Sequence, residues 1–394
     1  MNGNEMYLLT VNAGSSSIKF AVFKAHSTTR VFEVSIDNIG ASARLTSESG
    51  TEPIAASDHG AAVTLLMRWV AEHLPAGEIS TVCHRVVHGG PNYHETQAVT
   101  DMLLADLREL AVFDPEHLPI ELRLIEVCKK VLPSAVQLVC FDTAFHRTLP
   151  DVARRLPLPR QFFDKGIRKY GFHGLSYASI LEELRRVEGE VATRGKVIIA
   201  HLGSGVSLVA LSGGQSIDTT MAMTPASGVT MSTRSGDLDP GLVLYLSQTE
   251  DYDSKQFNHL VNFESGLLGM SETTADMEQL LRMEEEDSRA KEAVDVFCYQ
   301  VRKSIGSLTA ALGGLNTLVF TGGMGEHAPK IRARVCEELA YLGIALNSER
   351  NARSERLIST DQSLVGVHVI HADEALTMAR ESIEYHNNRL KDAT

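Results

Sequence analysis

Two glycine- and serine-rich hairpins, one in each half of the chain, constrain the fold more than any other feature of the sequence. The stretch Tyr7–Phe23 reads YLLTVNAGSSSIKFAVF, and the stretch Val197–Leu211 reads VIIAHLGSGVSLVAL. Each combines an apolar strand, a short loop of small residues and a second apolar strand. A plan that is repeated in the two halves predicts duplicated domains that face each other across a cleft.

The loop of the first hairpin allows two interpretations. In VNAGSSSIKF (Val11–Phe20) the small residues could form a plain turn, or their N–H and hydroxyl groups could hold an anion. The segment alone favours the plain turn. The second hairpin and a later glycine-rich segment, TGGMGEH at Thr321–His327, together favour a site for nucleotide phosphates. Asn12 then extends toward a metal–phosphate centre, whereas Lys19 faces either phosphate or solvent.

Helical and strand-like patterns alternate along the chain. Helical periodicity is clear in segments such as Ala61–His73 and Lys291–Leu312, and strand patterns lie between them, as in Val136–Phe141 and Thr317–Phe320. This alternation predicts an α/β fold whose sheets are mixed, because the hairpins add antiparallel strands. A chain of 394 residues is too long for one ordinary core, so we expect two domains.

Composition argues against several classes of protein. The formal net charge is −13 and no basic run is present, so we expect no nucleic-acid partner. The five cysteines are scattered without CxxC spacing, which predicts reduced buried thiols in a cytoplasmic protein rather than a zinc site or disulfides. We find neither a signal-peptide pattern nor an apolar stretch long enough to span a bilayer, so we expect no membrane association.

The glycine-rich segments differ from the common nucleotide-binding motifs. The chain has no GxxxxGKS/T motif, no GxGxxG that opens a Rossmann unit and no protein-kinase signature set. What remains is a phosphate loop of the hairpin type. The segment TGGMGEH could bring backbone close to a base or ribose, or it could be only a turn that leads into the helix near Pro329.

Four short segments add side chains suited to anion chemistry. Arg85 lies in HRVVHGG at the end of a strand, and Asp142 in FDTAFH follows an apolar strand. His173 in YGFHG precedes a helix, and Arg234 lies in the loop STRSGDLDPG. Singly, each could be structural: an Arg85–Asp142 ion pair, a buried histidine, a loop ion pair. As a set they fit phosphoryl transfer, in which Arg and His stabilise phosphoryl charge and a carboxylate orients or deprotonates the acceptor.

A magnesium ion is also expected, because transferred phosphates are bound with Mg²⁺ and a few oxygen ligands. Asn12 and Glu374 are the candidate metal ligands. For Glu374 the alternative is an ordinary acidic residue at a helix N-terminus, in ADEALTMAR.

These segments closely resemble the signatures of the acetate kinase family, in the same order, from about residue 7 to residue 380. The seven segments are VNAGSSSIKF, HRVVHGG, FDTAFH, YGFHG, HLGSGVS, TPASGVTMSTRSGDLDPG and FTGGMGEHAP. The resemblance implies two duplicated actin-like ATPase (ribonuclease H-like) domains, with mixed sheets flanked by helices and a cleft between them. It implies an N-terminal lobe at 1–142 plus 374–394 for the acyl substrate and first phosphate loop, and a C-terminal lobe at 143–373 for nucleotide binding and dimerisation.

The resemblance also implies a reaction. This is the reversible transfer of the γ-phosphoryl group of ATP to acetate by direct in-line attack, giving acetyl phosphate and ADP, with Mg²⁺ or alternatively Mn²⁺. The protein is then a cytoplasmic homodimer. One alternative is a propionate or butyrate kinase of the same family. A second alternative is an actin-like ATPase, which would need the hairpins but not Arg85 or the pair of His173 and Arg234.

Residue by residue, the resemblance assigns roles to positions of this sequence. The residues that resemble catalytic ones are Asp142, His173 and Arg234. Those that resemble binders of the acyl substrate are Arg85, Val87, His117, Phe172 and Pro225. Those that resemble nucleotide-binding residues are Lys19, His201, Leu202, Gly203, Ser204, Gly205, Asp276, Gly323, Met324, Gly325, Glu326 and His327. The metal ligands would be Asn12 and Glu374.

Four positions depart from the family pattern. Glu116 in DPEHLP replaces an apolar pocket residue, and its carboxylate would repel an anionic substrate unless it turns outward or is paired. Ser204 and His327 stand where asparagines are usual, and Glu278 stands where an arginine near the adenine is common. These departures leave the acyl-chain preference and the base preference open.

Overall fold

The computed structural model describes residues 5–14, 16–40 and 42–392, so Ser15 of the first hairpin loop lies outside the described residues. The chain forms two compact units. The N-terminal unit comprises the described parts of Met1–Phe145 and Asp373–Thr394, and the C-terminal unit comprises His146–Ala372. The division of binding functions between the two lobes stays a prediction.

The N-terminal unit is built on an eight-stranded mixed sheet. Its strands are β1 (Glu5–Ala13), β2 (Ile18–Lys24), β3 (Arg30–Asp37), β4 (Arg44–Ser47), β5 (Gly50–Pro53), β6 (Gly77–Val86), β7 (Gln97–Ala98) and β8 (Val136–Phe141). Their order in the sheet is β5-β4-β3-β2-β1-β6-β8-β7. The strands β1 to β5 pair antiparallel in sequence order, whereas β1, β6 and β8 run parallel.

Helices cover both faces of this sheet. They are α1 (His59–His73), α2 (Asp101–Leu110), α3 (Leu118–Val131) and the C-terminal helix (Glu374–Asp392). Side chains alternate along a strand, so Leu9 and Val11 of β1 join the core that includes Leu66 of α1, while Leu8 packs with Ala379 of the C-terminal helix. Because both faces are buried, β1 is apolar at consecutive positions.

The C-terminal unit contains a five-stranded mixed sheet. Its strands are β9 (Lys196–Leu202), β10 (Val206–Ser212), β11 (Gln215–Thr219), β12 (Thr317–Thr321) and β13 (Gly366–Val369), in the order β11-β10-β9-β12-β13. The strands β9, β10 and β11 pair antiparallel, and β9, β12 and β13 run parallel.

Many short helices and two longer ones surround this second sheet. They are α4 (Asp151–Arg154), α5 (Arg160–Asp164), α6 (Gly174–Glu188), α7 (Glu190–Arg194), α8 (Gly241–Thr249), α9 (Ser254–His259), α10 (Gly266–Ser271), α11 (Met277–Met283), α12 (Ser288–Leu312), α13 (Gly322–His327), α14 (Pro329–Cys336) and α15 (Ser348–Ala352). The 3₁₀ helices Asp142–Thr148 and Glu337–Leu342 and a π-helical turn at Leu260–Glu264 complete the elements.

The two sheets share one connectivity. The order β3-β2-β1-β6-β8 in the first corresponds to β11-β10-β9-β12-β13 in the second, with the same pattern of antiparallel and parallel pairs. Each Gly/Ser hairpin therefore forms the same two strands of its sheet, as the internal repeat predicts. The predicted duplicated α/β fold with mixed, helix-flanked sheets is confirmed.

The five cysteines are spread over both units. All five are buried free thiols, as the sequence predicts, and the Sγ atoms of Cys83 and Cys140 contact each other at 3.1 Å. Among the helices of residues 5–392 that the structure describes, none has the length and apolar character needed to cross a membrane.

Candidate active site

Three parallel strands, β1, β6 and β8, end at the same edge of the N-terminal sheet. In their register Val11 lies beside His84, and Arg85 lies beside Cys140. Asn12 near the end of β1, Arg85 near the end of β6 and Asp142 directly after β8 therefore lie close together. We call Asn12, Arg85, Asp142, Glu121 of α3 and Glu374 of the C-terminal helix the N-terminal cluster.

The centre of this cluster is an ion pair between Arg85 and Asp142. Nη2 and Nε of Arg85 donate to Oδ2 of Asp142 at 2.6 and 3.0 Å, and Nη1 donates to the carbonyl of Ala13 at 2.9 Å. The Asp142 side chain is 1% exposed and that of Arg85 is 13% exposed. The ion pair foreseen as a structural alternative thus exists. It fixes the guanidinium and still leaves N–H groups of its fork for a ligand.

Burial and charge set the protonation of this cluster. Desolvation disfavours the charged form of Arg85, but Asp142, Glu374 and Glu121 outweigh it and raise the pKa of Arg85. Desolvation also raises the pKa of Glu121 to about 8, against the opposing influence of Arg85. Arg85 is therefore a permanent cation, and Glu121 is mostly neutral at pH 7.

The two predicted metal ligands contact each other. Nδ2 of Asn12 donates to Oε2 of Glu374 at 2.6 Å, and Glu374 is the first residue of the C-terminal helix. Residues 5–14, 16–40 and 42–392 contain no group of three or more His, Cys, Asp or Glu side chains that could hold a metal. An amide and one carboxylate fit Mg²⁺ that keeps waters and takes phosphate oxygens as further ligands, because Mg²⁺ seldom uses an all-protein cage.

Lys19 lies opposite Asn12 across the first hairpin. Directly opposed residues of an antiparallel pair project on the same face, so the Lys19 side chain lies on the face that carries Asn12. It is exposed, and we find no ion pair for it among the described residues. Lys19 is thus available to an anion bound near Asn12.

The loop before α3 carries the predicted His117. Its Nδ1 contacts Oδ1 of Asp114 at 2.8 Å, and Asp114 is buried. Burial opposes ionisation of Asp114, but the hydrogen bonds and charge of His117 lower its pKa overall. Glu116, the departure from the apolar pattern, is half-buried and interacts with other residues.

Glu121 was not singled out from the sequence. Its Oε2 accepts the backbone N–H of Val87, a predicted pocket residue, at 3.0 Å. A glutamate in an amphipathic helix is normally predicted to face solvent. Only the burial of Glu121, which the sequence does not reveal, distinguishes it from such a residue.

In the C-terminal unit, side chains gather around the loop of the second hairpin. We call His173, His201, Ser207 and Arg234 the C-terminal cluster. The rings of His173 and His201 stack at 4.2 Å between centroids, and Nδ1 of His173 contacts Oγ of Ser207 at 2.8 Å. Nδ1 of His201 contacts Oγ of Ser176 at 2.8 Å. The predicted phosphate-loop and catalytic histidines therefore meet.

Arg234 belongs to the same assembly. A Cβ atom on Gly205 would lie 3.2 Å from Nε2 of His173 and 3.6 Å from Nη1 of Arg234, so both side chains approach the hairpin loop closely. Nη1 of Arg234 donates to the carbonyl of Pro225 at 3.1 Å. The N–H of Ser232, two residues earlier, donates to the carbonyl of Ser204 at 3.2 Å. Gly205 thus leaves the space in which His173 and Arg234 converge.

The backbone around His173 is held by His146, which sequence reasoning did not assign. Nε2 of His146 donates to the carbonyl of Phe172 at 3.0 Å, and burial lowers the pKa of His146 to about 4, so the ring is neutral. Gly171 has φ +79°, and a Cβ there would lie 2.6 Å from the His146 ring. His173 itself has φ +59° as the N-cap of α6. The positive φ angles of Gly171 and of His173 itself therefore direct the His173 ring toward the C-terminal cluster.

The segment TGGMGEH is a short helix, α13, and not the turn that the glycines predict. Oε1 of Glu326 accepts the N–H of Gly322 at 3.0 Å, and Oε2 contacts Nδ1 of His371 at 2.9 Å, so this carboxylate caps its own helix. Gly325 is buried, whereas Gly323 and His327 are exposed. Gly323 and His327 are the members of this segment most accessible to a ligand.

A buried arginine that the sequence did not reveal holds α13. Nη1 of Arg332 donates to the carbonyls of Gly325 and Glu326 at 2.8 and 2.9 Å, and its Nε donates to Oδ1 of Asn351 at 2.8 Å. Arg332 is fully buried, and this burial lowers its pKa to about 10. Backbone carbonyls and a side-chain amide, which carry no net charge, accept these hydrogen bonds from the cation.

The predicted residues near the base have local contacts. The Asp276 side chain caps α11 by accepting the N–H of Glu278 at 2.8 Å. Glu278 is exposed and paired with Arg282 one turn later. Leu202 is buried, and Ser204 is exposed in the hairpin loop.

The structure groups the predicted residues within each unit. Those in the N-terminal unit are Asn12, Lys19, Arg85, Val87, His117, Asp142 and Glu374. Those in the C-terminal unit are Phe172, His173, His201, Leu202, Gly203, Ser204, Gly205, Pro225, Arg234, Asp276, Gly323, Met324, Gly325, Glu326 and His327. Asp276 has no contact with the C-terminal cluster among those described, whereas Pro225 contacts Arg234.

Comparison with known proteins finds relatives that match almost the whole length of the chain. The model of the acetokinase family matches residues 7–380. Acetate kinase of Rhodopseudomonas palustris strain TIE-1 is 42% identical over 387 residues, covering 95% of this chain and 96% of that protein. Propionate kinase of Citrobacter rodentium is 39% identical over 386 residues, covering 95% of each. The structure of a propionate kinase from Francisella tularensis superposes with a TM-score of 0.88 at 32% identity, covering 95% of this chain and 98% of that one.

Proposed function

The chain belongs to the acetokinase family, and from this premise we propose that it transfers the γ-phosphoryl group of ATP reversibly to acetate. The products are acetyl phosphate and ADP. The bond from the γ-phosphorus to the ADP oxygen breaks, and a bond from that phosphorus to a carboxylate oxygen forms. The observation that carries the proposal is Arg85, which is 13% exposed and is fixed by Asp142 at 2.6 Å, with N–H groups left to receive a carboxylate.

The N-terminal cluster supplies the acceptor side of this reaction. Arg85 binds the substrate carboxylate through its planar fork, which matches the two carboxylate oxygens. Asp142 keeps that fork in one orientation, so the attacking oxygen is presented in a defined direction and little orientational freedom remains to be lost. In this unit Val87 and His117 contact the carbon chain of the acid. In the C-terminal unit Phe172 and Pro225 have the same role.

The C-terminal cluster supplies charge stabilisation. Arg234 and His173 neutralise the charge that develops on the transferring phosphoryl oxygens during direct in-line attack, with no phosphoenzyme. The hairpin from His201 to Gly205 and the accessible part of α13 bind phosphates and adenosine, assisted by Lys19. Most of the acceleration then comes from positioning and charge, since two anions must approach each other.

A divalent cation fits beside the N-terminal cluster. Mg²⁺, or Mn²⁺ in its place, would be held by Asn12 and Glu374 together with phosphate oxygens and would neutralise phosphate charge. The 2.6 Å hydrogen bond from Nδ2 of Asn12 to Oε2 of Glu374 brings an amide and a carboxylate together, and Oδ1 of Asn12 would be the amide atom that binds the cation.

We also propose a cytoplasmic homodimer. The helix α8 has no buried residue, and it exposes Val243 (47%), Leu244 (63%) and Tyr245 (59%). An apolar helix of this kind is what a second subunit would cover. The use of ATP and the free cysteines support a cytoplasmic location, where thiols stay reduced.

Propionate kinase activity is the second candidate, because one relative at 39% identity is a propionate kinase. One added methylene changes discrimination only modestly unless it clashes. The test for both is ATP-dependent formation of acyl phosphate, trapped as the hydroxamate, from acetate, propionate and butyrate. We expect product from acetate and a smaller yield from butyrate. ATP hydrolysis without acyl phosphate from any acid would overturn the proposal.

A further inference from the structure

A buried carboxyl group beside Arg85 remains without a role in the reaction described above. Glu121 is 3% exposed, and its Oε2 accepts the N–H of Val87 at 3.0 Å. Its other oxygen, Oε1, is buried and has no hydrogen-bond partner among the described residues. A buried polar atom that is left unpaired is costly, so this oxygen is suited to a ligand that completes its hydrogen bonding.

The charges that surround Glu121 define what that ligand can be. Arg85 of β6, Asp142 after β8 and Asp114 in the loop before α3 all act on it. Burial raises the pKa of Glu121 to about 8, so at pH 7 it is mostly a neutral carboxylic acid that can donate as well as accept. A second anionic group on a ligand would be repelled by Asp114 and Asp142. A neutral polar group would not be.

The position of Glu121 relates this neutral acid to the acyl group. Val87, whose N–H it accepts, lies two residues beyond Arg85 on the segment that leaves β6. If Arg85 holds the carboxylate of the substrate and Val87 lines its carbon chain, we infer that Oε1 of Glu121 comes near the first chain carbons, because Oε2 of the same carboxyl group accepts the Val87 N–H. A hydroxyl group there would pair with Oε1, whereas a plain methyl group would leave it unpaired.

We propose that Glu121 is a specificity-determining residue that favours short carboxylic acids bearing a hydroxyl group over unsubstituted acids of the same carbon number. This inference rests on the proposed function, because it assumes that Arg85 binds the carboxylate. Acetate remains a substrate, and the hydroxy acid becomes the better one. A site with a buried polar group discriminates strongly against an analogue that cannot pair with it.

The test compares kcat/KM for glycolate with acetate, and for lactate with propionate, by coupled detection of ADP and by hydroxamate trapping. At pH 7 we expect the wild-type protein to favour each hydroxy acid by about tenfold or more, the usual range for an unpaired buried group. Glu121→Met, which removes both oxygens, should bring that ratio to about one or below. Glu126→Gln, on the same helix but paired with Arg108 at the surface, is the matched control and should leave the ratio unchanged.

Glu121→Gln separates a role in selectivity from a role in packing. The amide keeps an oxygen to accept the Val87 N–H and has an NH₂ group to donate to the hydroxyl, so the preference should persist. In the wild-type protein kcat/KM for both acids should fall as pH rises through about 8, because ionised Glu121 repels the anionic substrate. The glutamine variant should lose this fall, and KM for ATP should stay constant in both variants.

The outcomes separate this inference from the proposed function. An equal ratio in the wild-type protein and Glu121→Met, or an alkaline fall that persists in Glu121→Gln, would overturn the role of Glu121 while acetate kinase activity remains. Absence of acyl phosphate from every acid would overturn the proposed function and this inference with it. If Glu121→Met does not fold, as judged by thermal unfolding, the pH profile of Glu121→Gln decides the matter.

Discussion

The two Gly/Ser hairpins occupy the same place in their sheets but carry different side chains. Asn12 and His201 are each the second-last residue of the first strand, and each lies opposite the second residue of the returning strand, Lys19 and Ser207 respectively. Backbone geometry is thus repeated, whereas the chemistry at the loop is not. A duplicated scaffold fixes where side chains are presented and leaves open what they do.

The side chains that surround the two hairpins also differ in their chemistry. Beside the first lies a partly buried ion pair, Arg85 with Asp142, together with further carboxyl groups. Beside the second lie histidines, hydroxyl groups and glycines around Arg234. One fixed cation suits a small carboxylate, and many donors around an open loop suit a polyphosphate. Substitution of Arg85 should therefore affect binding of the acyl acid, whereas substitutions around the second hairpin should affect the nucleotide or the rate.

The largest effect is expected for Arg234→Ala. Loss of a positive charge that acts mainly in the transition state should lower kcat by about 10³-fold with little change in KM for ATP, as when an oxyanion-stabilising donor is removed. Steady-state kinetics with acetate and ATP measure both constants. Arg282→Ala, which removes an exposed arginine paired with Glu278 in the same unit, is the control. A kcat near that of the wild-type protein would remove Arg234 from the transition state.

Arg85→Lys tests the acceptor side of the comparison. Lysine keeps the charge but not the fork that bonds Asp142 and Ala13, so KM for acetate should rise about 10- to 100-fold, the range for hydrogen bonds to charged groups. KM for ATP should change far less. Initial rates over a matrix of both substrates give the two values. Equal increases in both would contradict the assignment of Arg85 to the acyl acid alone.

Arg332→Lys tests whether a buried support of α13 matters to the nucleotide side alone. Lysine cannot reproduce the fork that bonds the carbonyls of Gly325 and Glu326 and the side chain of Asn351. We expect KM for ATP to rise about fivefold, from the loss of about 1 kcal/mol of positioning, with KM for acetate unchanged. A thermal unfolding curve accompanies the kinetics. A lowered Tm with both KM values unchanged would make Arg332 purely structural.

The smallest effect is expected for Lys19→Ala. Its side chain is exposed, so its charge is screened, and its loss should raise KM for ATP by about two- to fivefold. The difference from the wild-type protein should shrink as salt is raised. A salt-independent difference would show that Lys19 does not act through charge.

Much of the fold could be predicted because the sequence repeats its signals. Two hairpins with apolar flanks indicated the duplicated units, and the ends of β6 and β8 were visible as apolar runs before Arg85 and Asp142. The helical state of Gly322–His327 was missed, because glycines read locally as a turn, whereas Glu326 capping and the bonds from Arg332 stabilise a helix there. Tertiary contacts overrode local propensity.

The residue types of the candidate site could be predicted from the sequence, but the buried residues that hold them in place could not. Arg85, His173 and Arg234 lie in distinctive motifs. His146, Glu121 and Arg332 do not stand out, because their roles depend on burial among partners that are distant in the chain. No pattern within α3 shows that one of its glutamates is enclosed beside Arg85 while Glu126 lies at the surface.

The sequence by itself determined the duplicated α/β plan and the family, and it indicated the residue types that we propose bind a phosphate and a carboxylate, because each of these follows from local patterns that recur in order. Only the tertiary structure decided which charges are paired and which carboxyl groups are neutral. Desolvation depends on everything packed around a group, and for Glu121 that surrounding comes from a strand end, a loop and a helix that no single stretch of sequence contains.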